Sequence, residues 1–197
     1  MQMAVGESFR PLVSHDEPLS FLSDIGARRS RTRAQLANRT VSRATAADRS
    51  LVVRLLNEAL ACEIACMLRY RRHYFMLRHM LSEAEKGELL DRANEEQLHA
   101  DLIAQRIVQL GAEPDLSPLG ICDMDYSQFA EGNTPEDMVR EELAAERMAV
   151  ESYTEMIHYV GDADAATRRM LEEILANEKE HAGELTRMLD GLGGNSA

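Results

Sequence analysis

The chain has no tryptophan, only five prolines, and aromatic residues at 5% of its 197 positions. The residues that dominate instead, Glu, Leu, Ala, Met and Arg, favour helix over sheet. The composition is neither of low complexity nor typical of disorder, and a hydrophobic fraction of 45% over this length is enough for one domain with a buried core. We therefore expect an all-α protein.

Cysteine is also scarce: Cys62, Cys66 and Cys122 are an odd number and contain no Cys-x-x-Cys pair. Such a set predicts neither a disulfide framework nor a structural zinc site, and reduced thiols fit a cytosolic protein. The sequence lacks the charged start and apolar run of a signal peptide, and it has no stretch of about 18 apolar residues. These absences predict a soluble cytoplasmic protein with no membrane segment.

Basic residues are outnumbered, 22 against 34 acidic ones, which gives a net charge of −12. So acidic a body would repel a phosphate backbone, which argues against nucleic acid as its partner. Residues 1–50 differ, because they hold eight arginines against five acidic residues, or +3, and leave −15 for the rest. We separate residues 1–44 as an arginine-rich extension, in which Phe21 to Leu36 could form one short helix. This extension is either a solvated or dimer-packing arm or a tether for DNA.

Four long segments with helical periodicity follow the extension. They predict helices at roughly 46–79, 82–110, 135–160 and 164–191. Thr134 and Asp164 have side chains that can cap the first turn of a helix. Gly111, Gly161 and Gly191 fall where the periodicity stops, as expected of residues that adopt a left-handed conformation after a helix.

The connections between these helices predict the topology. Short connections make the first two helices an antiparallel hairpin, and likewise the last two, while residues 111–134 are long enough to cross the length of a bundle. We therefore expect an antiparallel four-helix bundle at 45–192 with a long crossover between its second and third helices. Residues 193–197 would form a tail.

Glu-x-x-His occurs twice on the apolar face of a predicted helix, once in each half of the chain. Each pair follows a single glutamate on the preceding helix, 33 residues earlier in the first half and 32 in the second. The six residues are Glu63, Glu96 and His99 in the first half and Glu146, Glu178 and His181 in the second. Helical periodicity turns all six toward the core.

Four unpaired carboxylates in a nonpolar interior would each be costly, so such a core is stable only if their charge is cancelled. Two divalent ions would cancel it, and two imidazoles complete a ligand set that suits iron or manganese. The alternative is a pair of core histidines bonded to helical neighbours. A third pair, Glu155 with His158, lies on the opposite face from Glu146, which predicts surface or interface residues.

Tyr70 and Tyr153 each follow a glutamate of the predicted site by seven residues, or two helical turns. Each is either a core aromatic or a hydrogen-bond donor that supports a ligand carboxylate, and both roles stay open here. His73 is about 80° off the ligand face and is expected at a helix interface rather than on a metal. Cys62 and Cys66 are expected to pack in the bundle, where oxidation at a nearby metal site could modify their thiols.

From Leu56 to Leu189 the pattern resembles bacterioferritin and related ferritin-like di-iron carboxylate proteins. The resemblance rests on the Leu-Asn-Glu-Ala-Leu-Ala-Cys-Glu opening that ends at residue 63, on Glu-Gln-Leu-His-Ala at 96–100 and on Glu-Lys-Glu-His-Ala at 178–182. It implies a ferritin-like fold and a di-iron centre. The ligand roles it implies are terminal for Glu63 with His99 and for Glu146 with His181, and bridging for Glu96 and Glu178.

The activity that the resemblance implies is that of a ferroxidase, which oxidises two Fe(II) with O2 or H2O2 for iron storage and detoxification under oxidative stress. The iron would be stored within a homo-oligomeric shell, and manganese is the alternative metal. Relatives that bind haem between subunits use a methionine directly after the bridging glutamate of the second helix. Gln97 stands at that position, so we expect no haem.

Two other functions remain open from sequence. A non-storing di-iron oxidase or peroxidase, similar to rubrerythrin, would share the site, although Ala149 stands where rubrerythrins carry an extra glutamate and three scattered cysteines cannot form their rubredoxin-like site. A DNA-protecting ferritin-like protein would hold DNA with residues 1–44 through counterion release. Such proteins place their iron site between subunits, whereas this chain is expected to hold a complete site within one bundle.

Overall fold

A computed structural model describes residues 49–77, 82–117 and 134–193. Nearly all of them belong to four α-helices: α1 at Arg49–Leu77, α2 at Glu83–Gln109, α3 at Pro135–Val160 and α4 at Ala165–Gly193. The helix bounds agree with the predicted ones to within three residues, and these ranges contain no strand, which confirms the all-α prediction. The predicted extension with its short helix, Cys122 and the last four residues lie outside the described residues.

Contacts at the two ends of the bundle determine its topology. Leu77 at the end of α1, Leu89 near the start of α2 and Met138 near the start of α3 share one hydrophobic cluster. At the opposite end, Arg106 near the end of α2 donates to Asp164, which lies just before α4. Because α2 and α3 both start at the same end, the chain must cross the length of the bundle between them. The predicted crossover and the two antiparallel pairs, α1 with α2 and α3 with α4, are confirmed.

Side-chain caps start the two helices of the second half. Thr134 Oγ1 accepts a hydrogen bond from the backbone N–H of Asp137 at 3.1 Å, and Pro135 occupies the first turn, where its missing N–H costs nothing. Asp164 Oδ1 accepts from the backbone N–H of Thr167 at 3.0 Å. Both predicted caps form, and they explain why α3 and α4 begin where the sequence indicates.

Glycine marks the ends of two helices but not of a third. Gly111 and Gly161 follow α2 and α3 with positive φ values of 71° and 53°, at which a side chain would be strained. The prediction for Gly191 was wrong, because α4 continues through it to Gly193. A glycine inside a helix costs only about 1 kcal/mol relative to alanine, so a fading apolar pattern at a glycine does not by itself end a helix.

The core differs between the two ends of the bundle. One end is a large hydrophobic cluster drawn from all four helices, whose fully buried members are Leu56, Leu60, Ile103, Ile107, Leu171 and Ile174. The other end holds smaller hydrophobic clusters together with buried charged side chains. The six predicted ligand residues lie between the two ends. None of the described helices is both long and apolar enough to cross a membrane.

Candidate metal centre

The six side chains predicted to bind metal come together midway along the bundle. They are Glu63 from α1, Glu96 and His99 from α2, Glu146 from α3, and Glu178 and His181 from α4. None of them is more than 4% exposed. They form two overlapping groups of four residues, and the ligand atoms of each group lie within 4.8 Å of one another. One layer of the core is therefore a cluster of acids and imidazoles.

Two carboxylates, Glu96 and Glu178, belong to both groups. We name the group that Glu63 and His99 complete the His99 half. In this half, the ring atom Nδ1 of His99 lies 3.0 Å from Glu178 Oε1 and 3.3 Å from Glu63 Oε2. One ring nitrogen and three carboxylates therefore converge at a single place.

Glu146 and His181 complete the other group, which we name the His181 half. His181 Nδ1 lies 3.6 Å from Glu96 Oε1 and 3.9 Å from Glu146 Oε1. The imidazole rings of His99 and His181 are inclined by 26°, with centroids 6.3 Å apart. The two Glu-x-x-His pairs, each with its preceding glutamate, thus form two matching half-sites with the shared carboxylates between them.

Tyr70 and Tyr153 bond to the cluster across the bundle. Tyr70 on α1 donates to Glu146 on α3, and Tyr153 on α3 donates to Glu63 on α1. Burial, and next to it the charge of the accepting glutamate, raises the pKa of each phenol well above its ordinary value, so both remain protonated donors. Each tyrosine therefore bonds the glutamate of the opposite half rather than the one on its own helix.

Burial changes the protonation of the four carboxyl groups. Loss of contact with water raises the pKa of Glu63 from 4.5 to about 7 and the pKa of Glu96 from 4.5 to about 8. Burial also raises the pKa of Glu146 and, most strongly, that of Glu178, where the neighbouring acids add to the effect. In the absence of a cation the cluster therefore retains protons near neutral pH that exposed glutamates would have lost.

The outer ring nitrogen of each histidine, Nε2, faces a residue of the neighbouring helix. His181 Nε2 lies 2.7 Å from Glu95 Oε2, and His99 Nε2 lies 3.2 Å from Asn177 Nδ2. Burial lowers the pKa of His99. Burial acts in the same direction on His181, but nearby carboxylates, Glu96 first, raise the pKa of that ring overall. Sequence reasoning missed both outer partners. They have one sequence feature in common, because each directly precedes one of the two shared glutamates.

Three buried atoms of the centre have no hydrogen-bond partner among the described residues: Glu96 Oε1, Glu178 Oε1 and His181 Nδ1. Buried polar atoms without partners are costly, and such oxygen and nitrogen atoms are the ones that metal ions bind. Four ionised carboxylates would also leave −4 in the core, which two divalent cations would cancel. Both the orphaned atoms and the ligand chemistry therefore fit a pair of divalent cations.

A buried charged network beside the centre was also missed from sequence. Arg69 Nε donates to Glu142 Oε2 at 2.6 Å, and His73 Nδ1 lies 2.7 Å from Glu142 Oε1, with all three residues more than nine-tenths buried. His73 therefore lies between α1 and α3 and outside the ligand groups, as predicted. Arg92 of α2, which is also more than nine-tenths buried, pairs with Glu184 of α4.

The remaining candidates from sequence do not belong to the two ligand groups found among the described residues. Among the described residues, neither Glu155 nor His158 belongs to a ligand group, and His158 is exposed. Cys62 and Cys66 are half-buried and form no disulfide among the described residues, and burial raises the pKa of the Cys66 thiol. Gln97, at the position where haem-binding relatives have methionine, is exposed.

The raised carboxyl pKa values predict how stability depends on pH. An acid with a raised pKa in the folded state stabilises the fold fully below its ordinary value of 4.5, and this contribution is lost as the pH rises through folded values of about 7 and 8. Between about pH 5.5 and 8.5 the Tm of the metal-free protein should fall by at least about 5 °C. With Mn²⁺ present the fall should be smaller, because the cations replace the protons. Calorimetry of both forms checks this, and a metal-free Tm that rises over the range would contradict it.

Comparison with known proteins by sequence agrees with this geometry. A family model described as a ferritin-like domain matches residues 53–193. The chain is 30% identical over 163 residues to the DNA protection during starvation protein of Pyrococcus furiosus, covering 78% of this chain and 85% of that protein. It is 29% identical over 149 residues to the bacterioferritin of Brucella melitensis biotype 1, covering 72% of this chain and 84% of that one.

Solved structures are similar as well. The bacterioferritin-related protein from Bacteroides fragilis, described as a dodecameric thioferritin, has a TM-score of 0.68 and 26% identity, covering 74% of this chain and 88% of that one. The bacterioferritin of Desulfovibrio desulfuricans has a TM-score of 0.67, covering 75% of this chain and 82% of its own. At 21% identity, the second match supports the fold alone.

Fold and centre together define a class of four-helix proteins in which all four helices contribute to one buried cluster of carboxylates and histidines. The family model covers well over half of the sequence, and the chain belongs to the ferritin-like family. The resemblance to bacterioferritin drawn from the sequence motifs and the expected ferritin-like bundle are both confirmed.

Proposed function

We propose that this protein is a bacterioferritin-like ferroxidase that takes Fe(II) as its substrate and O2 or H2O2 as oxidant, for iron storage and detoxification in the cytoplasm. The observation that carries the proposal is the pair of ligand groups that share Glu96 and Glu178. Two shared carboxylates can hold two cations side by side, which suits the reduction of an oxidant by two electrons at one place. A lone cation would not need two matching half-sites.

Each side chain of the centre has a part in this proposal. The shared Glu96 and Glu178 would bridge the two ions, and each half would add one carboxylate and one imidazole as terminal ligands. The bound ferrous ions supply two electrons, which with two protons reduce O2 to H2O2 or H2O2 to water. Tyr70 and Tyr153 keep a proton on the phenol oxygen and hold the terminal carboxylates in place. The buried layers on either side exclude water from the centre.

The experiment that tests the proposal is an anaerobic titration of the metal-free protein with Fe(II), followed by exposure to O2 or H2O2. We expect saturation at two irons per chain and rapid oxidation of both. Saturation at one iron per chain, or oxidation no faster than that of free Fe(II) in the same buffer, would contradict the proposal.

Assembly into a homo-oligomer is part of the proposal, and exposed apolar side chains support it. Leu68, Phe75 and Met76 on α1 and Leu98 and Leu102 on α2 are all at least 36% exposed. The described side chains of α3 and α4 include no large hydrophobic residue of comparable exposure. The outer surface of the α1–α2 pair is therefore the surface we expect to meet another copy. Light scattering should give a closed multimer, whereas a species too small to enclose a cavity would favour a non-storing oxidase.

DNA protection is the second candidate, because one relative is a DNA protection during starvation protein and residues 1–44 are rich in arginine. If these residues hold DNA, a gel-shift series should show binding by the full chain that weakens steeply with salt. Deletion of residues 1–44 should then abolish the shift. Unchanged binding by the truncated chain, or no shift by the full chain at low salt, would exclude this role.

A further inference from the structure

The outer partners of the two histidines differ, although their positions match. Glu95 directly precedes one shared glutamate and reaches His181 on α4, while Asn177 directly precedes the other and reaches His99 on α2. The two halves are otherwise closely matched, because each has its own glutamate, its own imidazole and a tyrosine that donates to that glutamate. The two matching positions therefore place a carboxylate beside the ring of His181 and a carboxamide beside the ring of His99.

The carboxylate of Glu95 fixes which nitrogen of His181 carries the proton. An ionised carboxylate only accepts hydrogen bonds, so His181 Nε2, 2.7 Å from Glu95 Oε2, must be the donor. The lone pair of the neutral ring is then on Nδ1, the buried atom that faces Glu96 and Glu146 and has no hydrogen-bond partner among the described residues. Whenever its ring is neutral, His181 is thus already in the tautomer that binds a cation.

The carboxamide of Asn177 does not fix His99 in this way, because it can donate through Nδ2 or accept through Oδ1. It presents Nδ2 to His99 Nε2 at 3.2 Å, an arrangement in which Nε2 accepts and the ring proton is on Nδ1. Nδ1 is then a donor, and its hydrogen-bond acceptor is Glu63 Oε2 at 3.3 Å. A cation can bind Nδ1 of His99 only in the other tautomer, with the proton on Nε2, and the amide bonds to that tautomer only when it turns to offer its oxygen.

We propose that Glu95 and Asn177 are positioning residues that make the two half-sites unequal, so that a divalent cation binds the His181 half first and the His99 half second. The inference rests on the proposed binding of two cations at this centre. Outer partners of metal-bound histidines typically change metal affinity by about 10- to 100-fold. Because 47% of the Glu95 side chain is exposed, we expect a difference near the lower figure, about tenfold.

One nearby charge opposes this order. Arg92 lies close enough to His181 for its positive charge to act on that ring, and it would also repel a cation there. The carboxylate of Glu184, which pairs with Arg92, offsets part of that charge. The carboxylate of Glu95 bonds directly to the ring, so we expect its effect to exceed that of the Arg92 and Glu184 pair.

The test uses Co²⁺ as the probe and the full metal-free chain. Calorimetric titration should show two binding phases, and anomalous diffraction from crystals given one equivalent of Co²⁺ should show the higher occupancy beside His181. In E95Q the tight phase should weaken about tenfold and the two occupancies should become similar, whereas E95D should restore part of the preference. In N177D the weak phase should tighten by a similar factor. E180Q, which removes an exposed charge from α4, is the matched control and should behave as the unmodified protein.

Each outcome separates this inference from the proposed function. Two bound ions with equal occupancies, or E95Q and N177D variants with unchanged affinities, would overturn the unequal half-sites and leave the ferroxidase proposal intact. A first ion beside His99 would also overturn them. Failure of the centre to bind a second ion at any Co²⁺ concentration would instead contradict the proposed function itself.

Discussion

Replacing both shared carboxylates, in the variant E96Q/E178Q, should abolish the binding of two metal ions per chain and slow Fe(II) oxidation at least about 100-fold. Glutamine keeps the shape of each side chain but removes its negative charge, and both half-sites depend on the charge of these two shared residues. The metal-free variant should be at least as stable as the unmodified protein, because two buried acids no longer have to be held protonated. Metal content, stopped-flow oxidation and calorimetry measure the three effects.

The control for this variant is E155Q, which removes a glutamate of the third Glu-x-x-His pair, outside the ligand groups. It should bind two ions and oxidise Fe(II) at the rate of the unmodified protein. If E96Q/E178Q still bound two ions tightly, or if E155Q lost activity to the same extent, the cluster would not be the site of oxidation.

Removing one partner of the buried pair between α1 and α3 should cause the largest loss of stability. Glu142→Gln would deprive the guanidinium of Arg69 of its carboxylate partner in a place where only 6% of that residue is exposed. We expect the free energy of unfolding to fall by about 3–5 kcal/mol, the usual cost of an uncompensated buried charge. Urea unfolding at fixed protein concentration measures it.

A second variant and a surface control show whether the charge is the cause. The double variant R69M/E142L replaces both charges by apolar groups of similar size and should recover most of the lost stability. Glu136→Gln breaks an exposed pair with Arg140 and should cost less than about 1 kcal/mol. A loss from Glu142→Gln as small as that of Glu136→Gln would mean that Arg69 finds water or another partner.

The ligand set could be predicted from sequence because it follows from periodicity on single helices. Residues three apart share a helix face, so Glu96 and His99 had to point the same way, and the spacing to Glu63 placed all three at one level of a hairpin. The limits of α3 and α4 were equally local, since the caps at Thr134 and Asp164 act within one turn. Local rules therefore predicted the helices and the six side chains that meet between them.

The contacts that sequence could not supply all join different helices. Tyr70 stands two turns from Glu63 on the same face, yet its hydroxyl reaches Glu146 on α3, because the bundle brings that carboxylate closer. Arg69 lies beside Tyr70 in the sequence, and only the packing of α3 against α1 shows that Glu142 makes its burial tolerable. Which residue pairs with which across the bundle depends on the register of packed helices, and no single-helix period contains that register.

The difference between the two ends of the bundle also depends on contacts between helices, and for that reason it could not be predicted from sequence. The repeat predicts two equivalent halves, but the layer beyond the centre at one end is apolar while the layer at the other end holds Arg69, Arg92 and Glu142. Charged residues on an inward face look like interruptions of the apolar pattern, although here they are paired and buried. Periodicity identifies the face of a helix that packs, and it does not tell whether a charge on that face has found a partner.

Anomalous diffraction from crystals of the full chain loaded with Mn²⁺ tests most directly whether the six buried side chains hold two cations. The account predicts two peaks per chain, about 3.5–4 Å apart, with Glu96 and Glu178 between them. Each peak should also contact one further carboxylate and the Nδ1 atom of one histidine. A single peak at the centre, or peaks only at surface acids while the buried cluster stays metal-free under saturating Mn²⁺, would contradict it.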